Sequence, residues 1–403
     1  MGFDRATRKN PCPVCGAQKY CQVTRDRRLA HCMKESRGAV KRAKDGGHLH
    51  VLVEDTSLNK GSRPGTVTPL NTTMVSLTPP APLEIRDAAY RKLLDLSPAW
   101  VYERELIVAV PDGLLARGLL PQDVPRFGAL PPTVKDRDDL ARSISDFIVG
   151  NFPAHSTEHL CAGVIGVPGF WEGSRGEAKL GKDFDYKRPA LIIPYRNGQG
   201  LIQACQLRFS GAKGDYHWLS TSEDWLDREP KGVSSGSPIH WTFLKSDLDE
   251  SDELPVLITE GALKAEVFVR LRSPMRAIAT AGVGVGHAEI VRALSGCDAL
   301  IGFDSDHREN AQVCRQLGKL IAEREMDARS NGQKHSTSVV VWEGAKGIDD
   351  AVRQNLPLRV VAIPEWIKTL GYMAEAVADI WRQYEFTPDA EQEERRTSSR
   401  ESE

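Results

Sequence analysis

The chain has 403 residues with 53 Lys and Arg against 55 Asp and Glu, a balance that excludes a polyanion and a wholly disordered chain and leaves room for two or three cores. It has no run of eighteen or more apolar residues, and its start lacks the apolar core of a signal peptide, so a soluble cytoplasmic protein without a membrane partner is expected. The neutrality hides an asymmetry: residues 1–50 hold twelve Lys and Arg and four Asp and Glu, a surplus that suits a phosphate backbone.

Taken in chain order, the first feature is PCPVCGAQKYCQVTRDRRLAHCMKES. Four of the eight cysteines, Cys12, Cys15, Cys21 and Cys32, fall in this stretch and the others are scattered singly, which favours a metal over disulfides. A C-x2-C turn closing on Gly16 points two thiolates at one ion, and two more from a following hairpin complete a tetrahedron for structural Zn2+. His31 is a rival for the fourth place. Arg25, Arg27, Arg28, Lys34, Lys41 and Arg42 crowd the same stretch with Tyr20, a mixture of positive charge and aromatic face that suits single-stranded DNA. A protein-docking knuckle with a solvated basic face is the alternative. Residues 1–53 are therefore expected to form a zinc-binding module, and 54–83, rich in Ser, Thr, Pro, Gly and Asn, a flexible linker.

Residues 84–250 open with helical periodicity up to about 150 and continue into two apolar runs around NGQG, the signature of a hairpin. From 251 to 360, the strands PVLIT, MRAIAT, ALIGF and SVVVW alternate with amphipathic segments, which predicts a parallel sheet covered on both faces. A helix is expected over 364–385, within a C-terminal region 361–385, and a disordered tail over 386–403.

Three acidic features lie at the ends of these strands. Glu260 closes the first; Asp304 and Asp306, two apart in extended chain, face one spot after the third. Carboxylates gathered so need a cation, and hard oxygen ligands suit Mg2+ or Mn2+. Asp349 and Asp350 follow the fourth strand as a further ligand candidate, with a helix cap as the simpler reading. Taken alone, a D-x-D is often a solvated turn. AGVGVGH (281–287) carries glycines without a Walker lysine, so no P-loop motor is expected.

The set ITEGALKA, GFDSD and KGIDD resembles the Toprim domain of bacterial primases, topoisomerases and some nucleases. The resemblance implies a Rossmann-like α/β parallel core in which Glu260, Asp304 and Asp306, with Asp349, hold Mg2+ or Mn2+ for phosphoryl chemistry. LIIPYRNGQGLIQACQLRFSG, DYHWLSTSE and GSPIH look like the N-terminal half of the bacterial primase catalytic core, an α+β subdomain. That likeness makes Arg196 and Arg208 candidate nucleic-acid or nucleotide contacts, beside Arg27 and Arg28 of the zinc module. The order zinc finger, linker, primase-like core resembles stand-alone primase-like proteins of plasmids, phages and integrative elements. It implies primer synthesis from nucleoside triphosphates on single-stranded template, beside a separate replicative helicase. The chain departs from that pattern where Lys264 and Gly347 replace aspartates and where Asp215 and Trp241 replace groove lysines. Lys264 then becomes a candidate for neutralising a phosphate or a carboxylate. Two other readings stay open: a Toprim nuclease, and a non-catalytic DNA-binding or helicase-loading protein.

Overall fold

The structure, a computed structural model, describes residues 3–7, 10–15, 19, 21–24, 29–33, 41–42, 48–52, 79–102, 113–153, 162–209, 215–221, 232–243, 254–305, 309–332 and 335–384. The linker from 54 to 78, the tail, Asp306, and the basic residues Arg27 and Arg28 lie outside them. The chain divides into two compact units, Met1–Ser76 and Leu77–Glu403.

In the first unit, β1 (Phe3–Arg5), β2 (Gln22–Thr24), β3 (Leu29–Cys32), β4 (Lys41–Arg42) and β5 (His48–Val51) form an antiparallel sheet in the order β1-β2-β3-β5-β4. Thr24 Oγ1 accepts the Leu29 amide at 3.0 Å and closes the β2–β3 hairpin. Among the described residues, the buried apolar residues of this unit are Ala6, Cys12, Cys21, Leu29, Ala30 and Cys32, with Val14 and Cys15 packed against the cysteine cluster. A small unit with so few buried apolar side chains among its described residues gains stability from a cross-link such as a bound metal.

The second unit contains two main sheets. β6 (Gly128–Leu130), β9 (Ala190–Arg196), β10 (Ile202–Phe209) and β11 (Asp215–Trp218) form an antiparallel sheet in the order β11-β10-β9-β6, and a small hairpin, β7 (Phe170–Glu172) with β8 (Ala178–Leu180), lies apart from it. The expected turn is present: Asn197 Oδ1 accepts the amides of Gln199 and Leu201 at 3.0 and 2.9 Å, and Gly200 supplies φ +80°. One face of this sheet, with Ile192 and Leu207, packs on α1 (Leu83–Leu96) and α2 (Val134–Asn151) through Tyr90, Leu93, Ile144 and Ile148.

The other sheet is six-stranded and mixed, with β12 (His240–Thr242), β13 (Val256–Glu260), β14 (Ala277–Thr280), β15 (Ala299–Ile301), β16 (Thr337–Val341) and β17 (Arg359–Ala362) in the order β12-β14-β13-β15-β16-β17. The middle four are parallel and the two edges antiparallel. All four strands expected from sequence are present, and the first and third are neighbours, so Glu260 and Asp304 leave adjacent strands. β12 comes before residue 250 in the chain, yet it hydrogen-bonds into this sheet.

Alternation along β13 sends Val256 and Ile258 to one core and Leu257 to the other. The first is covered by α4 (His287–Ala293), α5 (Ala311–Asn331), α7 (Ile363–Thr369) and α8 (Ala374–Gln383), through Ile290, Leu317, Ile321, Trp366 and Trp381. The second is covered by α3 (Ala262–Leu271) and α6 (Ile348–Arg353). The fold is thus α/β, a parallel-centred sheet wrapped on both faces beside an antiparallel α+β region. Where one C-terminal helix is expected, two occur, because Gly371 at φ +55° sits in the irregular turn between α7 and α8. Among the described residues, no helix is long and apolar enough to cross a membrane.

Helix α3 explains how the two sheets meet. Ala262, Leu263 and Val267 pack on Leu191, Ile193 and Tyr195 of the antiparallel sheet, while Ala265, Phe268 and Val269 pack on the parallel one. A helix enclosed on both sides reads as apolar all round, as ALKAEVFVRL largely does.

Candidate metal centre and carboxylate edge

The four cysteine sulfurs lie within 4.8 Å of one another. Cys15 Sγ is 3.7 Å from Cys21 Sγ, and Cys21 Sγ is 4.0 Å from Cys32 Sγ. A tetrahedron with Zn–S bonds of about 2.3 Å has sulfur–sulfur edges of about 3.8 Å, so the cage fits zinc. Burial, with the neighbouring sulfurs, pushes the Cys21 thiol up to about 12, although the Met33 amide donates to it at 3.4 Å. Four crowded sulfurs become thiolates only around a cation. His31 is outside this cage; it stands on β3 opposite Gln22 and Leu49.

At the carboxyl end of the parallel strands, Glu260 is the last residue of β13, half-buried and opposite Thr280 of β14. Gly261 follows at φ +85°, ψ 121° and donates its amide to Thr280 O at 2.7 Å. Only glycine takes that backbone readily, and it lets the chain turn at once from strand into α3. Asp304 comes three residues after β15 and is buried. Neighbouring strands are about 4.8 Å apart, so these two carboxylates share one edge of the sheet.

Lys264, on the first turn of α3, forms an ion pair with Asp304 Oδ1, and Lys346 reaches Asp304 Oδ2 at 3.6 Å. Asp349, at the start of α6, is 3 % exposed and receives Arg117 at 3.0 Å on Oδ2. Burial raises its pKa, against the pull of Lys264 and Arg117. Its Oδ1 is buried without a well-formed hydrogen bond among the described residues. Asp304 and Asp349 are thus answered in part by Lys264, Lys346 and Arg117, and among the described residues the four cysteines are the only cluster of His, Cys, Asp or Glu close enough to share one ion.

Behind the edge lies a buried charge node. Glu266 of α3 receives Arg126 at 2.9 Å and Arg196 at 3.6 Å, and His240 Nε2 lies 3.1 Å from it. His240 Nδ1 accepts the Arg196 amide at 3.0 Å, which fixes the proton on Nε2 and makes it the donor to Glu266. Burial opposes the Glu266 charge, but Arg126, His240 and Arg196 outweigh it and hold the carboxyl at about 2. Desolvation lowers the Arg196 guanidinium to about 10, and Arg196 also donates to Arg126 O at 3.1 Å.

The structure therefore brings Glu260, Lys264, Asp304 and Asp349 to one end of the sheet and places Arg196 in the node beneath. Arg208 is buried on β10, its guanidinium 5.3 Å from the Tyr216 ring. Sequence reasoning misses Arg117, Arg126, Glu266 and His240. The only signal for Glu266 is a carboxylate in an otherwise apolar helix. Arg117 gives none, since it meets Asp349 across 232 residues.

No family model matches the chain, and no curated protein matches it. Solved structures to which it is similar include a DNA primase domain from Pseudomonas aeruginosa, at 17% identity and TM-score 0.43, covering 68% of this chain and 76% of that one. The zinc-binding and RNA polymerase domains of the Aquifex aeolicus primase match at 11% identity and TM-score 0.45, covering 75% and 68%. The RNA polymerase domain of the Mycobacterium tuberculosis primase matches at 16% identity and TM-score 0.44, covering 79% and 97%.

Proposed function

We propose that this protein is a primase-type nucleotidyltransferase that binds single-stranded DNA and makes primers for a mobile genetic element. The observation that carries the proposal is the delivery of Glu260 and Asp304 to adjacent carboxyl ends of parallel strands, with Lys264 on Asp304 and Asp349 beside them. Ligands collect at that edge of an open α/β sheet.

In the reaction, a 3′-oxygen bonds to the α-phosphorus of a nucleoside triphosphate, and the bond from that phosphorus to the bridging oxygen breaks. Pyrophosphate leaves with the electron pair, and the hydroxyl proton passes to solvent. Mg2+ or Mn2+ held by Glu260, Asp304 and Asp306, with Asp349 nearby, would ease loss of that proton and offset the charge on the leaving group. Lys264 and Lys346 add positive charge where phosphate oxygens approach. The Glu266 node fixes α3, and with it Lys264, against both sheets. Arg27 and Arg28 of the zinc module would hold template phosphates, and a separate helicase would expose the strand. Arg208, on the antiparallel sheet, serves in this reading as a template or nucleotide contact, while Arg196 orders the hairpin end from beneath.

The test is incorporation of labelled nucleotides on unprimed single-stranded DNA with Mg2+ or Mn2+, comparing wild type with Asp304→Ala. Short, metal-dependent products from the wild type alone support the proposal. Shortening of the template by the wild type alone transfers the site to a nuclease, and binding without product by both makes the fold a DNA-binding or helicase-loading module.

A further inference from the structure

We infer that His287 is a proton-dependent positioning residue: as an imidazolium it bridges Val283 O and Glu323 Oε2, and so tethers the glycine loop 281–286 beside the carboxylate edge. The inference goes beyond the nucleotidyl-transfer reading and does not rest on it.

The loop, AGVGVG, leaves the sheet where β14 ends at Thr280, the residue opposite Glu260. Two of its glycines seat it closely. A Cβ on Gly284 would come within 3.3 Å of the Gln316 side chain, and one on Gly286, at φ +75°, within 3.1 Å of Ile239 Cγ2. Gly284 and Val285 are exposed, so burial does little to fix the tip.

The tether is the first residue of α4. His287 is 6% exposed; its Nε2 lies 2.7 Å from Val283 O and its Nδ1 lies 3.5 Å from Glu323 Oε2 of α5. Both oxygens can only accept. A neutral imidazole has one N–H and one lone pair, so either tautomer turns a lone pair toward an oxygen. With both nitrogens protonated, both contacts are attractive. Nδ1 and Glu323 Oε2 are buried and have no other well-formed hydrogen bond among the described residues, so each answers the other.

The charges around the ring decide which contact yields. On α5, Lys319 lies 3.6 Å from Glu323 Oε1, and beyond α8 the Tyr384 hydroxyl donates to the same oxygen at 3.0 Å. On α4 itself, Glu289 is turned to the Ile239 amide at 3.3 Å. Burial opposes the charge on Glu323, but His287, Tyr384 and Lys319 outweigh it and lower its pKa. A hydrogen bond to a carboxylate is stronger than one to a carbonyl. When the ring loses a proton, it therefore keeps Nδ1–H on Glu323 and turns a lone pair toward Val283 O, and the loop is released.

Long-range proton–nitrogen correlation spectra of zinc-loaded full-length protein read the ring directly, with the His287 signals identified by their loss in His287→Ala. Should that variant fail to fold, His287→Gln identifies them instead. In the wild type both ring nitrogens should carry protons at about pH 5. The Val285 amide donates to Gly282 O at 3.2 Å, and its protection, corrected for intrinsic exchange, should fall about tenfold as the ring loses its proton. Glu323→Gln keeps the shape and supplies an amide donor to Nδ1. In that variant the ring should be neutral with its proton on Nε2, and Val285 should stay protected at every pH. A wild-type ring that is neutral throughout, a Val285 amide whose protection does not follow the ring's charge, or a Glu323→Gln protein that behaves as wild type overturns the inference. None of these readouts uses DNA or nucleotide, so failure of primer synthesis leaves the tether standing, and failure of the tether leaves the synthesis reading intact.

Discussion

Arg117 Nη1 lies 3.0 Å from Asp349 Oδ2, so a single helical turn at Gly113–Ala116 and the residues after it are clamped onto the carboxylate edge. Arg353 reinforces the clamp by donating to Ala116 O at 2.9 Å, and Arg270 pairs with Asp123 farther along. The segment thus touches both α3 and α6, the two helices that carry Lys264 and Asp349.

Removing Arg117 should therefore affect stability and the site together. Arg117→Ala removes the direct ion-pair partner of the buried Asp349 and is expected to cost about 2 to 3 kcal/mol, read from denaturant unfolding of the full chain. Arg117→Lys keeps the charge and should recover part of the loss. A stability within error of wild type for the alanine variant would show that the clamp contributes nothing.

The Glu266 node sets an acid limit. His240 is held below its ordinary 6.5, first by burial, so the folded state keeps it neutral where the unfolded chain protonates it. Glu266, held at about 2 against an ordinary 4.5, stays charged where the unfolded carboxyl is protonated. In both windows the unfolded state binds more protons, so stability is fully present above about pH 6.5 and falls as pH drops toward 2. Glu266→Gln should destabilise by about 3 to 5 kcal/mol at neutral pH by leaving Arg126 and Arg196 short of an anion, and it should flatten the fall below pH 4.5. Denaturation midpoints across pH decide this; parallel wild-type and variant curves below 4.5 would refute it.

The zinc cage predicts one tightly held zinc per chain, measured by atomic absorption, and loss of ordered structure in the first unit on chelation while the second keeps its own core. Cys21→Ser should release the metal; His31→Ala should not.

Affinity for single-stranded DNA should fall with salt. The log–log slope should shrink by about 0.7 for each phosphate that Arg27→Ala or Arg28→Ala leaves without its cation, read from titrations at several salt concentrations. A salt-independent affinity would remove the nucleic-acid role of the basic end.

Much of the parallel sheet is legible in the sequence because local chemistry writes it. The runs ending at Glu260 and before Asp304 are short, apolar and closed by polar residues, and the cysteine spacing points to one metal cage with His31 as a rival ligand, which the structure leaves outside it. Alternating strands and helices allow few topologies, which brings β13 beside β15 and the two carboxylates to one edge. The tertiary structure alone decided what those groups meet. Lys264 lands on Asp304 across 40 residues, and Arg196 faces Glu266 because α3 is enclosed between two sheets. Side chains on separate segments carry no mark of their partners, since burial and ion pairing arise only when packing brings them together. The sequence by itself determined the clustering of the four cysteines and where the strands end; folding decided which of the charges at those ends are already answered from within the chain.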